Sequence, residues 1–306
     1  MSERPPAYGG QAVLEGVMMR GHSTWAVAVR RPSSEIYVEV RPVSDFPERH
    51  PVWKRPVLRG VFALADSLTV GLKALSISGN QAVGEQEQLG PAAMGVSLGL
   101  ALVFFCAVFI ALPNWGLSLL DRRISSSLVS NLLEGVLRIG LFVGYLVAIA
   151  RLKDIRRVFA YHGAEHQTIA AYEAGVALEP ETAGKYSTLH VRCGTNLLLI
   201  VMVLTILVYS FFGRPALVWR IGSRILAIPL IAGIAYEFLK LGAGRFGDTS
   251  IVRALMAPGL WMQKVTTRVP DREQIEVAIR ALEAVLPEDE RERVALLPSP
   301  VVHAGG

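Results

Sequence analysis

Four stretches of this chain are long and apolar enough to cross a lipid bilayer, and they limit the fold more than any other feature. A helix needs roughly 20 apolar residues to span the hydrocarbon layer. The stretches are 92–112, 128–150, 196–213 and 222–241. Hydrophobic residues make up 52% of the chain, charged residues only 19%, and mean hydropathy is +0.40. That is too apolar for the water-exposed surface of a soluble protein of this size. The expected fold is therefore a polytopic α-helical membrane protein, four transmembrane helices with a cytoplasmic α+β cap. With an even number of spans, the three large pieces outside the membrane (1–91, 151–195 and 242–306) fall on one side and can form one composite domain.

Lysine and arginine near span ends decide which side. Segment 151–195 carries Arg151, Lys153, Arg156, Arg157, Lys185 and Arg192. The short opposite connections carry Arg122 and Arg123, then Arg214 and Arg220, with Arg224 at a span edge. This asymmetry places the large pieces, with both termini, in the cytoplasm. The net charge of +5 does not indicate nucleic acid, because the three large pieces together hold 24 basic and 23 acidic residues. No basic face of the kind nucleic acid requires is concentrated there. Two cysteines exclude a disulfide scaffold, and no Lys/Arg-led apolar run of the signal-peptide type opens the chain.

Within 1–91, residues 9–21 (GGQAVLEGVMMRG) are bracketed by glycines. They read either as a loop whose backbone approaches a ligand, with Glu15 and Arg20 as its charged groups, or as a tight loop packed beneath a neighbouring hairpin. Residues 24–30 and 35–41 alternate around Arg31-Pro32-Ser33-Ser34 and predict that β-hairpin. Residues 56–78 place Leu58, Val61, Phe62, Leu64, Ala65, Leu68 and Leu72 at helical spacing, interrupted by Arg59, Asp66 and Lys73. This predicts an amphipathic helix lying on the membrane or packing on the spans. Further on, Ala257-Pro258-Gly259-Leu260 reads as a loop, and a helix is expected over 271–286, opened by an Asp271/Gln274 capping box. The stretch 298–306 is expected to be disordered. Inside the spans, Glu134 and Arg138 stand four apart and can pair. Glu237 and Lys240 are expected to reach the interface at their span's end. Gly242–Gly247 satisfies a bare G-x-G-x-x-G but follows a span rather than a strand, so it is not read as a nucleotide site.

The chemistry concentrates in 161–173, Tyr-His-Gly-Ala-Glu-His-Gln-Thr-Ile-Ala-Ala-Tyr-Glu. On a helix, His162 and His166 project from one face and can share an ion, with Glu165 beside them. H-x-x-E-H is the pattern of the inverted zinc peptidases, in which two histidines bind zinc and the glutamate acts on water. Five residues do not establish that homology, and a histidine pair at this spacing also occurs on ordinary packing faces. Glu173 shares the face but lies about 10 Å further along the axis, too far for the same ion. His190 and Cys193, at H-x-x-C spacing just before the third span, complete a His, His, His, Cys set suited to zinc or another divalent metal. Three of the six histidines fall in this one segment; His22, His50 and His303 stand in no such arrangement. If all four side chains bind, the site is closed and structural. If one stays off, a water can bind and Glu165 can serve as its general base.

Four blocks, 9–21, 161–173, 190–196 (HVRCGTN) and 258–279 (PGLWMQKVTTRVPDREQIEVAI), resemble the bacterial YqhQ-like membrane family. The resemblance covers nearly the whole chain. It implies a bacterial inner-membrane protein and a metal-dependent enzyme, without a substrate. The matching positions are Glu15 and Arg20; His162, Glu165 and His166; His190 and Cys193; and Gln263, Thr266 and Thr267. Where such motifs often show Pro after the third block's histidine and Glu before the fourth block's Pro, this chain has Val191 and Val269. Two functions are thus expected. One is a zinc-dependent hydrolase acting on a peptide or lipid-linked molecule at the membrane surface. The other is a non-catalytic scaffold or biogenesis partner of a membrane protein, holding the same residues as a structural site. A transporter is disfavoured, because the spans carry few charges and four spans would need oligomerisation to form a pathway.

Overall fold

The computed structural model describes residues 8–83, 90–118, 126–210, 217–243 and 249–297. It is mostly helical, with one small antiparallel sheet. The sheet runs β1 (Gly9–Val13), β2 (Gly16–Arg20), β3 (Thr24–Arg30) and β4 (Ile36–Pro42), each paired with the next. The hairpin expected around 31–34 is present as β3 and β4, with Val27 opposite Glu39. The glycine-bracketed segment, by contrast, is neither a ligand loop nor a loop beneath the hairpin but two further strands. Val13 pairs with Gly16 across a two-residue turn, Leu14-Glu15. Glu15 adopts φ 50, a left-handed conformation that costs a non-glycine residue strain. Gly16 is needed because a Cβ there would lie 2.2 Å from the Ala28 carbonyl oxygen.

Both faces of the sheet are covered. Val17, Met19, Ala26 and Ala28 point to one face, and Met18, Trp25, Val27 and Val29 to the other, as the period of two requires. A sheet buried on both sides has continuous apolar strands rather than alternating ones. The first face packs on α6 (Lys153–Glu173) and α11 (Arg272–Glu283) through Tyr161, Ala164, Val277, Ala278, Ala281 and Leu282. The second packs on α2 (Leu58–Ala82) through Val70 and Ala74. One core thus draws on segments from the start, middle and end of the chain.

The four expected spans are not all reproduced. Among the described residues, three helical stretches are long and apolar enough to cross a membrane: Leu58–Ala82, Ala92–Ala111 and Leu128–Ile149. The second and third coincide with predicted spans. They belong to α3 (Pro91–Cys106), which continues through a π-helical turn, Ala107–Ala111, into α4 (Leu112–Ser118), and to α5 (Ser127–Ile149). The predicted span 196–213 corresponds to α8 (Gly194–Ser210), apolar but only 17 residues long, its last three positions lying outside the described residues. The span 222–241 lies within α9 (Leu217–Ala243), which carries Pro229. Asn131 of α5 donates to the Tyr209 carbonyl of α8 at 3.0 Å, and Gly135 leaves the room that Ile206 fills. The apolar residues of α3 from Val96 to Phe105, with Cys106, point outward on all sides, the surface of a helix suited to lipid.

The helix expected over 56–78 is present as α2, and its leucines do not face the protein interior. Instead its small residues face inward: Gly60, Val70, Gly71, Ala74, Ser78 and Gly79 are buried, while Leu64, Leu68, Leu72 and Leu75 form an exposed stripe. Gly60 meets Gly233 and Tyr236 of α9, and Gly71 meets Gln11 of β1, so small side chains let two neighbours approach closely. Glu237 does not simply reach the interface beside Lys240. It accepts Arg59 Nε at 2.7 Å and the Val57 amide at 3.2 Å, tying α9 to the start of α2. Glu134 and Arg138 form the expected ion pair.

The chain continues through α10 (Ser250–Thr266), α11 and α12 (Glu288–Ala295), with short helical turns α1 (Phe46–Arg49) and α7 (Pro180–Ala183) earlier on. The loop expected at 257–260 is helical. Pro258 costs the helix a backbone hydrogen bond and crowds the preceding turn, yet α10 continues through it, and Gly259 brings α10 against Asn196 at the start of α8, where a Cβ would be 2.0 Å from the amide oxygen. Asp271 and Gln274 form the expected capping box on α11, whose stripe of Ile275, Ala278, Ile279 and Leu282 is buried, as is Leu286 just beyond its end. The stretch 298–306 and most of the Gly242–Gly247 segment lie outside the described residues.

Candidate metal centre

Helix α6 carries the site. It follows α5 and packs on the sheet alongside α11, so residues 160–172 are almost all buried. Two polar side chains on that stretch are histidines whose Nδ1 nitrogens are already committed. His162 Nδ1 lies 2.8 Å from the Thr266 carbonyl oxygen, and His166 Nδ1 lies 2.6 Å from the Thr188 carbonyl oxygen. A carbonyl oxygen can only accept, so each Nδ1 carries the proton and each Nε2 presents a lone pair. Backbone carbonyls fix metal-binding histidines in this same way.

The lone pairs converge. His162 Nε2 is 3.2 Å from Cys193 Sγ, and the donor atoms of His162, His166 and Cys193 all lie within 4.8 Å of one another. His166 Nε2 is buried and has no hydrogen-bond partner among the described residues. A buried, unsatisfied acceptor costs free energy unless something occupies it, and a cation at that point would satisfy it. Burial pushes the His166 pKa down to about 3, which keeps the ring neutral and able to coordinate. Burial, reinforced by the nearby Glu165, pushes the Cys193 thiol up to about 11. The Thr195 amide and hydroxyl, 3.5 and 3.2 Å from Sγ, oppose that shift. Two imidazoles and a sulfur fit zinc, and three ligands leave a fourth tetrahedral position open.

Glu165 is buried one residue before His166, against β1. Its carboxylate accepts the Gly10 amide, and a side chain at Gly10 would meet Glu165 Cγ at 2.9 Å. Burial raises its pKa to about 7, against the opposing pull of His162 and of the Gly10 amide. Gly10, the second glycine of the first block, therefore serves to admit this side chain. Gly163 has a comparable role. A Cβ there would lie 2.0 Å from the Arg268 carbonyl oxygen, so only glycine lets 266–268 run against α6 and bring the Thr266 carbonyl to His162.

The remaining expected site residues divide. His190 does not join the cluster. Its ring lies 5.7 Å from that of His166, and its Nε2 faces Glu173 Oε2 at 3.5 Å. Burial lowers the His190 pKa. Glu173, excluded from the ion by its distance along the helix, holds the 190–193 segment to α6 through His190 and Arg192. Gln263 braces that segment from the other side: its Oε1 accepts the His190 amide at 2.8 Å, and its Nε2 donates to the His190 carbonyl at 2.8 Å and to Asn196 at 3.2 Å. Thr266 contributes its carbonyl rather than its hydroxyl, and the Thr267 hydroxyl bonds back to Gln263. Glu15 and Arg20 lie outside the cluster. Glu15 pairs with Arg157 through both oxygens and accepts Tyr161 at 3.4 Å; Arg20 pairs with Asp66 of α2. Sequence reasoning missed Thr188, which acts through a carbonyl that any residue carries. It also missed Thr195 and Asn196, although both stand in the HVRCGTN block.

Residues 55–288 match the model of a family described as proteins of unknown function, DUF1385. The chain is also 33% identical over 296 residues to the "Uncharacterized protein YqhQ" of Bacillus subtilis (strain 168), covering 92% of this chain and 93% of that protein. This chain belongs to that family. No solved structure matches it. The family match begins at residue 55, beyond the whole sheet, while the likeness to the Bacillus protein extends over nearly the full chain.

Proposed function

We propose that this protein is a metal-dependent hydrolase working at the cytoplasmic face of a bacterial inner membrane. The observation that carries the reading is the convergence of His162 Nε2, His166 Nε2 and Cys193 Sγ, with both histidine tautomers set by backbone carbonyls. A bound zinc, or another divalent cation, would supply Lewis-acid chemistry. His162, His166 and Cys193 would hold it. Glu165 is the general base on grounds of placement: it neighbours His162 and Cys193, is anchored by Gly10, and lies outside the ligand set. His190, next to His166 and tethered to Glu173, positions the segment that carries Cys193.

In this reading α3, α5, α8 and α9 cross the membrane, and the cap formed by 1–91, 151–195 and 242–306 faces the cytoplasm. Helix α2 does not cross, because its buried face is committed to the sheet and its Asp66 pairs with Arg20. Its leucine stripe rests at the bilayer surface instead. Cys193 immediately precedes α8, so the substrate is a peptide or lipid-linked molecule presented at the membrane.

Burial favours a second reading, in which the ion is structural and the protein is a scaffold for a membrane partner. Glu165, His166 and Cys193 are at most 8% exposed. The two readings separate in a strain that depends on the full-length protein. For the hydrolase, Glu165→Gln accumulates in membranes like wild type and retains metal, yet behaves as a null, with an uncleaved peptide or lipid species building up. A Glu165→Gln strain that matches wild type in its membrane peptides and lipids contradicts the hydrolase and leaves the scaffold.

A further inference from the structure

The first turns of α6 form a second, separate site. Lys153, Arg156, Arg157 and Ala160 fall at i, i+3, i+4 and i+7, one face of the helix. They line a surface recess together with Arg268, Val269 and Gln274. Four of the seven lining residues are cations, and none is a carboxylate. Arg157 is engaged by Glu15, and one nitrogen of Arg268 is taken by the carbonyls of Lys264, Val265 and Thr267. Lys153 and Arg156 have no ionic partner among the described residues, and both are exposed. Gln274 adds an independent sign. It is 4% exposed, its Oε1 is occupied by the Asp271 amide, and its Nε2 has no partner among the described residues. The recess therefore offers cationic and amide donors with nothing to accept from them.

Its position identifies the anion. The span candidate Leu128–Ile149 ends four residues before Lys153, and Leu152 and Val269 expose apolar side chains at 57% and 83%. Cations with adjacent apolar surface at the end of a membrane helix lie at the depth of lipid headgroups. We propose that this recess binds the phosphate of an anionic phospholipid, with Lys153 and Arg156 as its principal contacts and Gln274 as a neutral donor. A bound headgroup would fix α6, and with it the histidine pair two turns further on.

The test titrates full-length protein in detergent with dimyristoyl-phosphatidylglycerol, dimyristoyl-phosphatidylcholine and inorganic phosphate, reading bound lipid by native mass spectrometry. Phosphatidylglycerol is expected to bind in preference to phosphatidylcholine and to resist displacement by inorganic phosphate. Lys153→Gln/Arg156→Gln should weaken it by about tenfold or more. Lys185→Gln/Arg280→Gln, the same charge change outside the recess, should not. Ala160→Met, which fills the recess without altering charge, should weaken it too. Unchanged binding in both recess variants, equal binding of phosphatidylcholine, or displacement by an equal concentration of phosphate would each overturn the proposal. Metal content is read in parallel and should stay at the wild-type level in the Lys153/Arg156 variant, so the outcome is independent of the hydrolase reading.

Discussion

The two halves of α6 show how one helix supports two kinds of polar chemistry. Residues 153–157 are largely exposed, with Arg157 paired to Glu15 and with Lys153 and Arg156 lacking an ionic partner among the described residues. Residues 161–172 lie in the core, where some polar groups are held by specific backbone acceptors and others have none: Gln167 Nε2 bonds the Tyr186 carbonyl at 2.8 Å and His166 Nδ1 the Thr188 carbonyl, whereas Gln167 Oε1, Thr168 Oγ1 and His166 Nε2 have no partner among the described residues. Burial explains the difference. A dry environment suppresses charge, keeping His166 neutral and Cys193 a thiol, whereas water leaves charge in place and weakens its interactions. Substitutions in the buried half should therefore act through packing and ligand geometry, and those in the exposed half chiefly through binding, with at most a small effect on stability.

The largest effect is expected at Gly163. Gly163→Ala forces α6 from the 266–268 backbone, with a stability loss of about 3 kcal/mol in denaturation of the detergent-solubilised protein, and detaches the Thr266 carbonyl from His162. Near wild-type stability would mean the backbones are not in close contact. Thr195→Val removes the hydroxyl beside Cys193 without touching a proposed ligand. Metal affinity measured by competition with a chromogenic chelator should fall by about tenfold or more, and an unchanged affinity would place the sulfur outside the ion's reach. Asp271→Ala deletes the α11 capping box at a cost of about 1 kcal/mol and should leave metal content intact, since the cap borders the recess rather than the cluster. Smallest is Arg157→Gln. Its pairing with Glu15 is half exposed, so the loss should not exceed about 1 kcal/mol. A larger loss would show that the ion pair holds Glu15 in its left-handed conformation.

What could be read from the sequence follows the range over which each signal acts. The β3–β4 hairpin, the α11 capping box and the apolar stretches of α3 and α5 are local patterns, and local chemistry fixes them. Strands β1 and β2 escaped because five-residue runs between glycines look like loops until a partner strand covers them. Pro258-Gly259 looked like a break, but it is the point where α10 needs a small residue against Asn196. The leucines of α2 were legible as a stripe, but not that the opposite, small-residue face would be the buried one. At the site, His162, His166 and Cys193 could be named from their spacing, whereas the exclusion of His190 depends on Glu173 and Gln263 holding it aside. The carbonyls that orient the histidines belong to the backbone and leave no trace in residue identity.

The most direct test of the metal centre is plasma mass spectrometry on full-length protein purified in detergent without chelator, comparing wild type with His166→Ala, Cys193→Ala and His190→Ala. About one divalent metal per chain is expected in wild type, lost in His166→Ala, lost or sharply reduced in Cys193→Ala, and retained in His190→Ala. Metal-free wild type, or equal metal in wild type and His166→Ala, would contradict the centre described above.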